Sequence, residues 1–318
     1  MLLAAIEDAD QAGDVFGEED LLETFRDPGS DFPRGSTGVH DGNVMVGYCC
    51  LYSSGSADQV HQMRQYGGVH PAYRGQGIGG RLIDWAELAA VPLHEERYPG
   101  LPLSISGSCS AGNSGASALY ASRGFRPARW FHLMAADLTT AGPGAPVPAG
   151  VQIVTFTAEL AEDARLVRNE AFRDPRQADQ LAPGEWAHFL SYNAFRPAFS
   201  YLAYDGAEPL GVLISREYDA YTELTGILDL YIAVVATRRS ARKRGIASAL
   251  LSRALADARS AGFTAASLTV DADSRTGAFG LYQRAGFAIR ATQVMQVKDL
   301  DAREVTGSSP ERQAPWPL

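Results

Sequence analysis

Arg74–Ala89 reads RGQGIGGRLIDWAELA, and Arg242–Ala256, starting 168 residues later, reads RKRGIASALLSRALA. Both begin Arg-x-x-Gly-x-Gly/Ala and run into apolar residues at helical spacing, with Leu82, Ile83 and Ala86 on one stripe of the first. Strand-like runs precede them, Val60 to Val69 and Ile227 to Val235, so each motif reads as a strand-to-helix turn. Glycine at such a turn lets a ligand approach the backbone closely, and the first amides of the helix have no intrahelical acceptor. With the helix dipole added, the turn suits an anion such as pyrophosphate. Arg74, Arg242, Lys243 and Arg244 add positive charge.

A second signature recurs in the same order. ALYASRGF (Ala118–Phe125) matches GLYQRAGF (Gly280–Phe287), with Tyr120 and Tyr282 162 residues apart. Two unlike signatures repeated at nearly one offset mark a tandem duplication. The chain has 318 residues, room for two domains of about 150. Between the halves lies TTAGPGAPVPAG, Thr139–Gly150, an uncharged Pro/Gly stretch that reads as a semi-rigid linker. The expected layout is therefore a first domain over 1–138, a linker over 139–150, a second domain over 151–300 and a flexible tail over 301–318. Hairpin signals sit at Asp41-Gly42 and Asp205-Gly206, and further strands read at Leu101–Ser106, Trp130–Ala136, Ala266–Val270 and Thr292–Val297. The strand near Thr292–Val297 is expected to finish the second unit. The first half begins mid-pattern, without the opening strand that Val151–Phe156 supplies in the second.

Gly75-Gln76-Gly77-Ile78-Gly79-Gly80 also contains G-x-G-x-x-G, the dinucleotide fingerprint. The second repeat keeps only Gly245 of that triad, and no acidic residue ends the next strand of the first, where Gly107, Ser108 and Cys109 stand. Neither turn supplies the Gly-Lys-Ser/Thr of a Walker loop. What the halves share is Arg74-x-x-Gly77-x-Gly79 and Arg242-x-x-Gly245-x-Ala247.

That shared pattern resembles the pyrophosphate loop of the GNAT superfamily of acyl-CoA-dependent N-acyltransferases, Gln/Arg-x-x-Gly-x-Gly/Ala. The family's later helix carries Asn, Tyr and Gly-Phe, matched by Asn113, Tyr120 and Gly124-Phe125, and by Ser274 (in place of Asn), Tyr282 and Gly286-Phe287. The resemblance covers both halves and is similar to the tandem type represented by mycothiol synthase. It implies an α+β fold of two GNAT-like domains, each a mixed sheet splayed open like a V and flanked by helices, with acetyl-CoA or another acyl-CoA in the opening. Residues implied to hold it are Val69, Arg74, Gly75, Gln76, Gly77, Ile78, Gly79, Gly80, Asn113 and Tyr120 in the first half. In the second they are Val235, Thr237, Arg242, Lys243, Arg244, Gly245, Ile246, Ala247, Ser274 and Tyr282. A backbone amide at the splayed strand is implied to polarise the thioester, and a tyrosine, Tyr120 or Tyr282, to meet the departing thiolate.

By the same resemblance the chemistry belongs to the second half. Its base is expected at Asp229, on DLYIAVV with Tyr231 on the same face; His61, Arg64 and Tyr66 occupy the equivalent strand of the first half, and His70 before Pro71 reads as positional. Phe172–Phe199 spans the connection that walls the acceptor site in this family and contributes Arg173, Asp174, Arg176, Trp186, His188, Tyr192 and Phe195. These suit a small polar amine with a hydrophobic portion. The alternatives are a non-catalytic acyl-CoA sensor and an N-acyltransferase using a longer acyl chain in natural-product biosynthesis.

Composition narrows the partners. A net charge of −9 argues against nucleic acid or anionic membrane as a partner of the whole chain. Three cysteines, Cys49, Cys50 and Cys109, are too few for a disulfide scaffold and read as free thiols. No residue group has metal-ligand spacing. The start turns acidic within seven residues and resembles no signal peptide. The expectation is a cytoplasmic monomer or homodimer acting on a small-molecule amine.

Overall fold

The computed structural model describes residues 2–10, 23, 26, 31–53, 57, 59–140, 144–173, 180–273 and 277–301. In chain order the elements are α1 (Leu2–Asp10), α2 (Phe32–Gly35), β1 (Ser36–Asp41), β2 (Val44–Ser53), β3 (His61–Val69), α3 (Ile78–Arg97), β4 (Leu103–Ser110), α4 (Ser114–Ser122) and β5 (Arg126–Asp137). There follow β6 (Val151–Thr155), α5 (Ala161–Ala171), α6 (Pro183–Ser191), β7 (Tyr201–Asp205), β8 (Glu208–Arg216), α7 (Asp219–Thr225), β9 (Asp229–Thr237), α8 (Ile246–Ser260), β10 (Ala265–Asp271), α9 (Ala278–Arg284) and β11 (Ala288–Leu300).

The described chain forms two compact units that interleave in sequence. Unit 1 holds residues 2–10, 26–131 and 291–301; unit 2 holds residue 23 and 132–290. The linear layout gave each half its own last strand, and the structure differs there. Within unit 1 the strand order is β1-β2-β3-β4-β11, with β11 antiparallel to β4 from Gln293↔Ser110 to Leu300↔Leu103. Within unit 2 it is β5-β10-β9-β8-β7-β6. The apolar alternation of each strand shows why. Met134, Ala136 and Leu138 are buried among Leu268 and Val270 of unit 2, while Leu300 is buried with Leu103 and Phe125 of unit 1. Among the described residues unit 1 has no counterpart of β6.

The duplication extends to irregularities of the backbone. Asp41-Gly42 and Asp205-Gly206 turn the two hairpins, and each hairpin carries one bulge beside the turn, after Val39↔Gly47 in one and Ala203↔Gly211 in the other. In unit 1 α3 buries Ile78, Leu82, Ile83, Ala86 and Ala90 against β2 and β3. In unit 2 α8 buries Ile246, Leu250, Leu251, Ala254 and Leu255 against β7, β8 and β9, while α5 covers the other face of β8 and β9 with Ala164 and Val167. The described part of the linker is docked rather than free: the Ala145 amide donates to Ser252 Oγ of α8 at 2.8 Å. Cys49 and Cys50 are both buried on β2, and burial holds the Cys50 thiol up at about 11.

One buried polar group sets a pH dependence. His61, fully buried at the start of β3, accepts or donates to Ser53 Oγ at 2.6 Å and meets His94 ring to ring, Nδ1 to Nδ1, at 2.9 Å. Burial, His94 and Arg97 pull it down to about 4 from its ordinary 6.5. Between those values the unfolded chain binds the proton that the folded chain refuses, so stability climbs with pH there. The melting temperature is expected to fall as pH is lowered from 6.5 towards 4, and His61→Asn to flatten that slope. An unchanged slope in the variant contradicts the assignment.

Candidate active site

Parallel strands that part midway make the opening in each unit. In unit 2, β9 pairs with β10 only from Asp229↔Ala265 to Tyr231↔Ser267, although β9 continues to Thr237 and β10 to Asp271. In unit 1, β3 and β4 pair from His61↔Leu103 to Arg64↔Ser106 and separate beyond. The motif loops follow β3 and β9, the strands that part from their neighbours at these ends.

The loops after β3 and β9 have one backbone shape built from different residues. Gly75 and Gly77 take φ values of 77° and 80°; Lys243 and Gly245 take 63° and 84°. Among the described residues Lys243 is the one non-glycine with positive φ, a position that costs an L-residue about 1–2 kcal/mol. Unit 2 thus keeps the loop geometry and adds an ammonium. The first intrahelical bonds run from Arg81 N to Gly77 O and from Ala249 N to Gly245 O, which leaves the amides of Ile78, Gly79 and Gly80, and of Ile246 and Ala247, without helical acceptors.

The leading arginines turn inward instead. Arg242 donates to the Thr237 carbonyl at 3.4 Å and to the Ala171 carbonyl at 2.9 Å, tying the loop to β9 and to the end of α5. Arg244 pairs with Asp205 at 2.9 Å. Of the loop cations in unit 2, Lys243 is the one with no such tie among the described residues. Thr237 Oγ1 is buried and has no partner among the described residues. In unit 1, Arg74 donates to the Val69 carbonyl and forms a two-point ion pair with Asp10, and Asn113, the N-cap of α4, donates to the same Asp10 carboxylate at 2.9 Å. Gln76 stays on the exposed turn. Ser274, with Asp174 and Arg176, lies outside the described residues.

The two units differ most at the middle of the opening. The β2–β3 ladder of unit 1 runs unbroken from Gly47↔Val69 to Ser53↔Met63. The β8–β9 ladder of unit 2 steps from Ile214↔Val234 to Ser215↔Ile232, so Ala233 faces no residue on β8. Pairing to β10 has already ended at Tyr231. Ala233 is therefore opposed on neither side, a bulge over the gap. The extra residue also swaps faces: Leu230 and Ile232 pack with α8, Val234 and Ala236 with α5.

Asp229 and Tyr231 alternate away from the α8 face. Ser267 Oγ donates to Asp229 Oδ2 at 2.5 Å, yet burial outweighs that bond and lifts the Asp229 carboxyl to about 6. Tyr282 comes from α9 on the other face, 8% exposed, and burial with Tyr231 nearby raises its phenol to about 12. Val235 lies half-buried on the same face as Tyr282's core. In unit 1, Tyr120 is driven upward by burial among Cys49 and Cys109, and its hydroxyl lies so close over Gly107 of β4 that a Cβ there would overlap it. His70 accepts the Ala72 amide at 3.2 Å and is positional.

The aromatic wall divides in two. Trp186 is core, its indole donating to the Ala161 carbonyl, and Phe195 packs on Phe156. His188, Phe189 and Tyr192 instead gather beside Arg216, which the sequence reading overlooked because an arginine at a strand end resembles a solvated one.

Comparison with known proteins agrees with this geometry. Residues 162–287 match the Acetyltransferase (GNAT) family and residues 36–127 an Acetyltransferase (GNAT) domain. A mycothiol acetyltransferase of Thermobispora bispora is 31% identical over 81% of this chain and 81% of its own. The chain belongs to the GNAT acetyltransferase family. The mycothiol acetyltransferase of Salinispora arenicola is 31% identical over 90% of this chain and 88% of that one. A GCN5-related N-acetyltransferase structure from Sphaerobacter thermophilus superposes with a TM-score of 0.76 at 28% identity, covering 94% and 90% of the two chains. A tandem GNAT protein of the clavulanic acid biosynthesis pathway shares the fold at a TM-score of 0.67 and 17% identity, covering 94% and 93%. This GNAT chain is an N-acetyltransferase of two-domain type. No described helix is long and apolar enough to cross a membrane.

Lys243→Gly relieves the left-handed strain and is expected to raise the melting temperature by about 2–4 °C. The same variant is expected to weaken acetyl-CoA binding in a titration, because the untied ammonium is gone. Tighter binding, or a lower melting temperature, contradicts this account of the loop.

Proposed function

We propose that this GNAT enzyme transfers an acetyl group from acetyl-CoA to the primary amine of a small molecule by direct attack, with the chemistry in unit 2. The bulge at Ala233 carries this reading. It frees a backbone amide in the middle of the opening, between the loop that suits a pyrophosphate and the pair Asp229 and Tyr282. Unit 1 has an unbroken ladder at that place, and its Asp10 carboxylate joins Arg74 to Asn113 where an anionic ligand is expected. The relatives named mycothiol acetyltransferase support the acetyl donor and a small acceptor. The reading places the enzyme in the cytoplasm, where acetyl-CoA is made and used.

A CoA thioester supplies an electrophilic carbonyl and a thiolate leaving group. The Ala233 amide donates to the carbonyl oxygen as negative charge develops there. Asp229, at about 6, is ionised at neutral pH and takes a proton from the incoming amine directly or through one water. Tyr282, at about 12, holds its proton. Full transfer to a thiolate of pKa near 8.5 costs about 5 kcal/mol, so its role is to donate a hydrogen bond to the departing sulfur.

Thiol release measured against amino sugars, amino acids, peptides and aminoglycosides tests the reaction. Tyr282→Phe is expected to lower kcat by about 10²-fold with little change in acetyl-CoA affinity, while Tyr120→Phe has a far smaller effect. The opposite ranking moves the chemistry to unit 1. As pH falls through about 6 the Asp229 carboxylate is protonated and kcat/KM drops. Asp229→Asn is expected to lower the plateau about 10²-fold and to abolish that acidic limb; a variant that keeps the limb rules Asp229 out as the base.

A further inference from the structure

Arg216 ends β8 directly opposite Tyr231 of β9, so the two side chains share the face on which Asp229 also lies. The residue is only 8% exposed. Its guanidinium stands over the Phe189 ring at 4.2 Å and the Tyr192 ring at 4.6 Å, both from the end of α6 and the turn after it. It donates to Tyr218 Oη at 3.3 Å and to the Phe189 carbonyl at 3.1 Å, both neutral acceptors. Nε is buried and has no partner among the described residues.

None of the described carboxylates nearby pairs with Arg216: Glu23 accepts the Asn193 amide at 2.5 Å through Oε1, and its buried Oε2 has no partner among the described residues. Arg196 takes Glu217 at 2.6 Å and Asp219 at 3.5 Å, and Ser267 holds Asp229. No described carboxylate forms an ion pair with Arg216. A buried cation without an anion among the described residues is costly, and two rings with two neutral acceptors offset only part of that cost. The same cation sits one strand away from the group assigned as base. Tyr218 joins Arg216 to Tyr231: its hydroxyl accepts from Arg216, and its ring meets the Tyr231 ring at 5.9 Å.

We propose that Arg216 is a specificity residue for an anionic group on the acceptor: the amine substrate carries a carboxylate or a phosphate that completes the Arg216 guanidinium while its nitrogen lies near Asp229. This rests on the acetyl-transfer reading of unit 2 and adds the class of acceptor. The unsatisfied Nε and the guanidinium charge give the anion a charge-assisted hydrogen bond in a site the aromatic rings shield from water. Arg196 holding both neighbouring acids keeps the cation open for substrate.

Matched amines that differ only in the anion test this by thiol release from acetyl-CoA: an α-amino acid against its amide, O-phosphoethanolamine against ethanolamine, and glucosamine 6-phosphate against glucosamine. The expected result is a preference of about tenfold to a hundredfold in kcat/KM for the anionic member of a pair, lost in Arg216→Met through a rise in KM. The arm in which the preference is found distinguishes carboxylate from phosphate. Turnover without preference, or a preference that survives Arg216→Met, overturns this proposal and leaves the acetyltransferase reading standing. No thiol release with any of these amines overturns both. A second readout needs no substrate. Replacing an unpaired buried cation with an apolar chain is expected to leave the melting temperature of the free protein unchanged or higher. A fall of several degrees assigns Arg216 a structural role and overturns the proposal.

Discussion

Asp229–Tyr231 hydrogen-bond to Ala265–Ser267, and then β9 and β10 part company. That short stretch of parallel pairing governs the rest of unit 2. It fixes the register of the two strands, and by ending early it leaves a backbone edge inside the sheet that no other strand satisfies. An unpaired edge in a protein interior is unfavourable unless something completes it. An extended ligand lying in the gap is one way to do so, and the loop after β9 presents free amides at its wide end.

The bulge at Ala233 uses this edge. One additional residue on β9 turns its later side chains to the opposite face, which lets Ile232 pack with α8 and Val234 with α5 on either side of a single unopposed peptide. Asp229, ahead of the bulge, alternates away from the face on which Tyr282 packs with Leu230 and Ile232. Unit 1 has the same gap and the same loop, but its continuous ladder leaves no peptide spare, and Tyr120 sits over Gly107 in its place. Duplication has given two openings, one of which has the additional residue.

The sequence makes the local features plain and hides the distant ones. The repeated loops were legible because a positive-φ turn before a helix demands glycine, and Gly77 and Gly245 stand there. Lys243 was not legible as a left-handed residue, since nothing in a lysine announces that conformation. Which sheet takes each closing strand is hidden for a similar reason: Met134 and Leu300 show that β5 and β11 are strands with one buried face, yet alternation says nothing about which sheet buries it. A bulge of one residue is visible only once register is known. Arg216 escaped notice because burial and the commitment of Glu217 and Asp219 to Arg196 are tertiary facts. Tyr282 stands out in the sequence because the repeat sets it against Tyr120, whereas Asp229 has no acidic counterpart in the first half, where His61 opens the equivalent strand.

A structure of the protein with bound acetyl-CoA tests the central claim most directly. The account requires the thioester to lie in the gap between β9 and β10, its carbonyl oxygen about 3 Å from the Ala233 amide and its sulfur within hydrogen-bond reach of the Tyr282 hydroxyl. A thioester seated between β3 and β4 beside Tyr120, with the β9–β10 gap empty at saturating acetyl-CoA, contradicts it.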